Sequence, residues 1–260
     1  MLSNQIIRAT WIIAFSLMAG ITGMAQTVNP DQPVIDVQSY NIEVGITPEK
    51  AFLQGRAEVD FVVLQRTMII DFDFNQQLVL LQVRGEDEHQ YSLRPGGVRS
   101  DRILVQRDEF FEVGETCKLY MDFEGMLNAE QYAFLDVPED QSAVISPDGA
   151  VLLNSGRWFP SHGLPMDAAA VTLKATVPLG FTAVAPGRLE SIDTLGITEA
   201  FTWTSELELT GVPLLVSRFY RQETEGFPLP ATYYVLPDFE QDLAPFSEML
   251  SGILEFYEGL

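Results

Sequence analysis

Two histidines, His89 and His162, and one cysteine, Cys117, are the side chains of this 260-residue chain best suited to hold a transition metal. A helical zinc site needs two histidines at i and i+4 with a glutamate between them, so that both imidazoles reach one ion. Here His89 lies in the polar run EDEHQY and His162 far along the chain in the loop-like FPSHGLP. With one cysteine, neither Cys-x-x-Cys nor an internal disulfide can form, and ETCKLYMDF places Cys117 on a half-buried strand. No self-contained metal site is predicted. Nucleophilic chemistry is no better served. No Gly-x-Ser-x-Gly elbow occurs, and Ser161, beside His162, belongs to an extended loop where adjacent side chains point apart. Arg94-Pro95-Gly96-Gly97 lacks the Lys-Ser/Thr of a phosphate-binding loop. The 37 acidic residues make carboxylate pairs inevitable, but nothing singles out two as a glycosidase-type acid/base couple. The chain is expected to carry no catalytic residue and no metal ligand.

One segment stands out. VLLNSGRWFPSHGL, residues 151–164, gathers Arg157, Trp158, Phe159 and Pro160 directly before a strand. On one reading its aromatics plug the core. On the other it is a surface loop that presents Asn154, Arg157 and His162 to a ligand or a neighbouring domain.

The elements that must position this segment repeat with period two. Tyr40, Ile42, Val44 and Ile46 alternate with polar residues or glycine, and so do Ala57, Val59, Phe61 and Val63. Further strands are expected at 68–74, 78–84, 102–107, 116–123, 169–177, 181–185, 198–204, 213–221 and 231–236. Val113-Gly114-Glu115 and Ala185-Pro186-Gly187 are among the turns that separate them. Residues 126–150 read as a long connecting loop. Many short strands without alternating helices predict an all-β, antiparallel sandwich. After Pro237 the period changes: Leu243, Phe246, Leu250, Ile253, Leu254 and Tyr257 form the apolar stripe of an amphipathic helix.

Composition excludes several classes. Apolar residues at 47% and charged residues at 20% are those of a globular domain, not of a disordered tail or a coiled coil. Fifteen Lys and Arg stand against 37 Asp and Glu, a formal charge of −22. A nucleic-acid binder needs clustered basic residues, and no such cluster exists; an anionic membrane surface would repel the chain. Residues 1–25 combine Arg8, an apolar run from Trp11 to Ile21 and small residues at Gly23 and Ala25, the pattern of a secretory signal peptide. That run is shorter than the roughly 20 residues of a spanning helix. The mature protein is expected from about residue 26, secreted or periplasmic and free of the membrane.

Five pieces in order carry a resemblance: YNIEVGITPEKAFLQGRAEVDF (40–61), RWFP (157–160), AAAVTLKATVPLGFTAVAPGRL (168–189), FTWTSELELTGVPLLVSRFY (201–220) and ILEFYEG (253–259). Over 36–260 the chain resembles the N-terminal domain of aminopeptidase N-type zinc metallopeptidases. The resemblance implies a saddle-like β-sandwich over 26–236. It also implies a linker helix over 237–260 that opens a thermolysin-like catalytic domain. In that family the catalytic domain carries Gly-x-Met-Glu-Asn and His-Glu-x-x-His motifs and the zinc ion; this chain has neither motif, so no zinc ligand carries over to it. The family's N-terminal domain commonly lends a Gln or Glu, shortly before the Phe-Pro segment, to the substrate's amine. The corresponding SPDGAVLLNSGRWFP has none, which leaves Asp148 and Asn154, with Arg157 beside them, as the substrate-facing candidates. The implied partners are its own catalytic domain and, through it, a peptide. The alternative is a free-standing secreted β-sandwich that binds or adheres.

Overall fold

The structure is a computed structural model that describes residues 32–87, 89–95, 101–128, 143–163, 165–224 and 231–237, together with 249–250, 252–253 and 255–256. The signal peptide predicted over 1–25 lies outside the described residues, as does most of the helix predicted after Pro237.

Among the described residues, sixteen strands make four sheets. The largest has seven strands in the order β12 (Arg188–Leu195), β13 (Thr198–Thr204), β10 (Ala170–Pro178), β1 (Ile35–Thr47), β2 (Phe52–Val63), β7 (Thr116–Met126) and β4 (Leu78–Gly85). A four-stranded sheet follows the order β11 (Thr182–Val184), β14 (Leu214–Ser217), β9 (Gly149–Leu152) and β8 (Ala143–Ser146). Three strands form another, β3 (Thr67–Asp73), β6 (Arg102–Phe111) and β5 (Tyr91–Pro95), and β15 (Tyr220–Thr224) pairs with β16 (Ala231–Val235).

The period-two reading is what the large sheet obeys. Ile35, Val37, Tyr40, Ile42, Val44 and Ile46 of β1 are buried, and a register shift between Val37 and Ser39 brings Tyr40 to the buried face. The smaller sheets pack on that face. Phe61 of β2 meets Phe111 of β6 at 6.2 Å between ring centroids, and Phe123 of β7 meets Phe74 at 6.1 Å. On the side of the four-stranded sheet, the Trp203 indole N–H of β13 donates to the Ala183 carbonyl of β11 at 3.1 Å.

The all-β expectation holds, with three corrections. The sandwich is not wholly antiparallel: β1 and β10 run parallel, Ser39 opposite Ala170 through Gly45 opposite Thr176. The loop expected over 126–150 contains β8 and the start of β9, joined by a tight hairpin with Ser146 opposite Gly149. The strand expected over 213–221 is two strands in different sheets, because the chain leaves β14 at Ser217 and enters β15 at Tyr220. β5 and β12 were not anticipated, and the edge strand β12 is exposed at most positions, so it shows no apolar alternation.

Candidate functional site

The segment 154–161 lies across one end of the four-stranded sheet, held by its neighbours on three sides. A 3-10 turn at Ser155–Arg157 follows β9. The Val212 N–H donates to Ser155 Oγ at 3.0 Å, and the Trp158 indole N–H donates to the Val212 carbonyl at 3.1 Å. The Asn75 amide donates to the Arg157 carbonyl at 3.0 Å. A two-bond bridge then ties the segment to the end of β3: the Asp73 N–H donates to the Ser161 carbonyl at 2.7 Å and the Ser161 N–H to the Asp73 carbonyl at 3.1 Å. Gly156 permits the approach, since a Cβ there would come within 2.7 Å of Asp73 Cβ.

Trp158 and Phe159 are fully buried, their rings 4.6 Å apart, and Phe159 packs edge-on against Tyr40 at 5.7 Å. Tyr40 in turn accepts a hydrogen bond from the His162 N–H at 2.9 Å, and burial pushes its phenol well above the usual range. The aromatic plug and the presented loop are therefore both present, at adjacent residues. Trp158 and Phe159 fill the core, while Asn154, Ser155, Gly156 and Arg157 line a cleft of about 320 Å³. Asp73, Asp101 and Ser161 line it too, with Gly163, Pro165, Met166, Thr210 and Gly211.

The electrostatics of the cleft are those of paired charges. Arg157 forms an ion pair with Asp101. Arg102, opposite Asp73 in the β3–β6 register, reaches Asp71 at 3.0 Å and Asp73 at 3.4 Å. Burial raises the Asp73 carboxyl above its ordinary value; the Asp71 charge adds to this, and Arg102 and His162 oppose it. The cleft thus offers carboxylates, a guanidinium and a buried hydroxyl, the groups that recognise a small polar or charged moiety.

Of the candidates read from the sequence, the structure brings Asn154 and Arg157 together and leaves Asp148 apart. Asp148 is exposed in the β8–β9 turn, where its carbonyl accepts from Ser217 Oγ at 2.9 Å. His162 lies behind the cleft wall, Nδ1 3.0 Å from the Asp71 carbonyl oxygen and its ring edge-on to Phe72. His89 lies in the connection between β4 and β5, 3.3 Å from Asp108 of β6. The described residues include no group of three or more His, Cys, Asp or Glu that could hold a metal ion. Asp73 and Asp101 were not read from the sequence. The i, i+2 spacing of Asp71 and Asp73 put both on one strand face, but only the pairing with Ser161 brings Asp73 to the cleft.

No family model and no curated protein matches the chain. Among solved structures it is similar to the M1 zinc metallopeptidase of Deinococcus radiodurans, with 17% identity and a TM-score of 0.62 over 78% of this chain and 47% of that one. A Glu-to-Ala mutant of that protein bound to a Tyr-Ser-Ala substrate matches at 17% identity and a TM-score of 0.62, over 80% of this chain and 51% of that one. A mutant two-domain M1 zinc metallopeptidase bound to L-tryptophan matches at 17% identity and a TM-score of 0.62, over 78% and 47%. The chain spans about half the length of the structures it matches. At this identity the likeness shows the fold: the β architecture described above is shared with roughly half of a metallopeptidase chain.

Proposed function

We propose that this chain is the non-catalytic N-terminal domain of a secreted zinc aminopeptidase-like protein, and that it walls one side of the cleft that admits peptide N-termini. The observation that carries the reading is the asymmetry of the structural match. It takes in 78% of this chain but only 47% of a two-domain metallopeptidase, so the shared part has the size of one of two domains. The five ordered sequence pieces support the same reading, since they follow the order of that family's first domain. Zinc then belongs to the other domain. Within this chain, the cleft residues Asn154 and Arg157 face substrate, and Asp148 stands at the neighbouring hairpin turn.

The test compares two proteins on aminoacyl-coumarin amides, with and without 1,10-phenanthroline. The 260-residue chain should release no coumarin. The product of the native gene, purified from the cells that make it, should do so in a chelator-sensitive way. Chelator-sensitive hydrolysis by the 260-residue chain alone would overturn the proposal, as would a native product with no such activity.

A further inference from the structure

The solvent face of the seven-stranded sheet follows from its core. Ile42, Val44 and Ile46 of β1, Leu53 and Ala57 of β2, Met121 and Phe123 of β7, and Leu173, Ala175 and Val177 of β10 are buried. Residues that alternate with them stand on the opposite face, and the pairing registers set them in rows across the strands. In one row Lys174 is opposite Glu43, Glu43 opposite Arg56, and Arg56 opposite Asp122. In the next, Thr176 is opposite Gly45, Gly45 opposite Gln54, and Gln54 opposite Glu124. These rows line a trough of about 540 Å³ that also takes in Leu195 of β12 and Leu81 of β4, on the two edge strands of the sheet. Gly45 opens its middle: a Cβ there would meet only Gln54, at 3.6 Å.

We propose that this trough binds a neutral, β-linked oligosaccharide laid across β10, β1, β2 and β7. The inference goes beyond the functional reading above and does not depend on it. Three observations select this ligand. The first is the supply of hydrogen-bonding groups. Arg56 is fixed to Asp122 by bonds of 2.5 and 3.0 Å, which holds a planar donor and acceptor unit at one end of its row. Lys174 and Glu43, though opposite each other, form no ion pair among the described residues, so an ammonium and a carboxylate remain to serve a ligand. The Thr176 hydroxyl and the Gln54 amide, each both donor and acceptor, face them across the trough. The second is charge. Three carboxylates stand against two cations in the trough, close to balance in a chain of formal charge −22, so the site selects neither an anion nor a polycation. An extended peptide would need pockets for its alternate side chains; here the walls are polar, and Leu81 and Leu195, 56% and 54% exposed, stand only at the ends. The third is spacing. Adjacent strands lie about 4.8 Å apart, close to the length of one β-linked pyranose unit, so successive sugars of an extended chain meet successive strands.

Isothermal titration of the 260-residue chain tests this with cellohexaose and chitohexaose, two neutral β-linked probes, and with maltohexaose as the α-linked comparison. At least one β-linked probe should bind at one site with a Kd below about 1 mM, and maltohexaose at least tenfold more weakly. Gly45→Leu fills the middle of the trough from a position with open space above it, and Lys174→Met keeps the stem but removes the ammonium. Each should weaken binding at least tenfold while leaving the urea midpoint within error of the wild type. Two variants from different strands guard against a folding defect in either one. Failure of both β-linked probes to bind would overturn the inference. So would equal or tighter binding of maltohexaose, or binding that both variants leave unchanged, which would place the sugar elsewhere. A neutral hexapeptide that binds the wild type and loses affinity in both variants, where the sugars do not bind, would assign the trough to peptides and equally overturn it. None of these outcomes bears on chelator-sensitive aminopeptidase activity in the native gene product, so the functional reading is tested separately.

Discussion

Arg107 is the charged side chain that the described residues bury almost completely, at 2% exposure. Its guanidinium donates to Glu115 at 2.5 and 3.0 Å and to the Phe110 carbonyl, and it lies 4.0 Å over the Phe111 ring. Asp87 stands 3.5 Å away. Removing one partner of such a pair leaves a charge without compensation, which costs more than the pair itself contributes. Glu115→Gln should therefore cost about 3 kcal/mol at pH 7, measured by urea unfolding. Arg107→Met combined with Glu115→Leu should cost less than the single change. The hydrogen bond from Arg107 holds the Glu115 carboxyl at about 2, below an ordinary 4.5. A lowered folded-state pKa contributes stability that is present above the unfolded value and is lost as pH falls through the folded one. The stability difference between wild type and Glu115→Gln should thus stay constant above about pH 5 and shrink between pH 4.5 and about 2. A difference that is flat down to pH 2 would show that the ion pair does not form in solution.

At the level of elements, the β8–β9 hairpin shows how a local rule and a long-range contact act at one residue. Gly149 has φ of +149°, and a Cβ there would sit 1.8 Å from the Val216 carbonyl oxygen of β14. Gly149→Ala must push β14 away or rotate the hairpin, and the loss should exceed about 2 kcal/mol in urea unfolding. Gly114→Ala is the control: its φ is +83°, with nothing within 4 Å, so it carries backbone strain alone, of about 1–2 kcal/mol. Equal losses would mean that β9 and β14 are less closely joined than their register implies. The same hairpin marks the limit of what the sequence disclosed. β1, β2 and β7 each bury one face against solvent on the other, and that alternation is visible without any knowledge of partners. β8 and β9 are too short and too uniformly apolar to alternate, although Pro147-Asp148-Gly149 between two apolar runs is itself a hairpin signal. The parallel pairing of β1 with β10 joins residues more than a hundred positions apart, and no local pattern encodes it. The cleft divides in the same way. Arg157 and Asn154 are conspicuous beside the aromatics, while Asp73 and Asp101 reach the cleft only through the packing of the three-stranded sheet.

Over the whole molecule, net charge sets the response to salt. The formal excess of 22 negative charges cannot be neutralised by ion pairing, because only 15 Lys and Arg face 37 Asp and Glu. Arg56 is bound to Asp122, Arg66 to Glu112, Lys118 to Glu58 and Arg157 to Asp101. Two effects of salt then compete. Screening weakens each exposed pair, but such pairs contribute about 0–1 kcal/mol apiece. Screening also relieves repulsion among the carboxylates left over, which opposes the compact state throughout its surface. Since the Debye length falls from about 30 Å at 0.01 M to about 10 Å at 0.1 M, the long-range repulsion is the part removed first. The melting temperature should therefore rise by several degrees between 0.01 and 0.3 M sodium chloride at pH 7, and most of the rise should come below 0.1 M. Acidification from pH 7 toward 5 should reduce the salt effect, because the net charge falls as the solution approaches the isoelectric point of about 4.2. A melting temperature that declines with salt would show that the specific pairs outweigh the excess, and that the acidic surface is organised into networks stronger than the separate pairs named here.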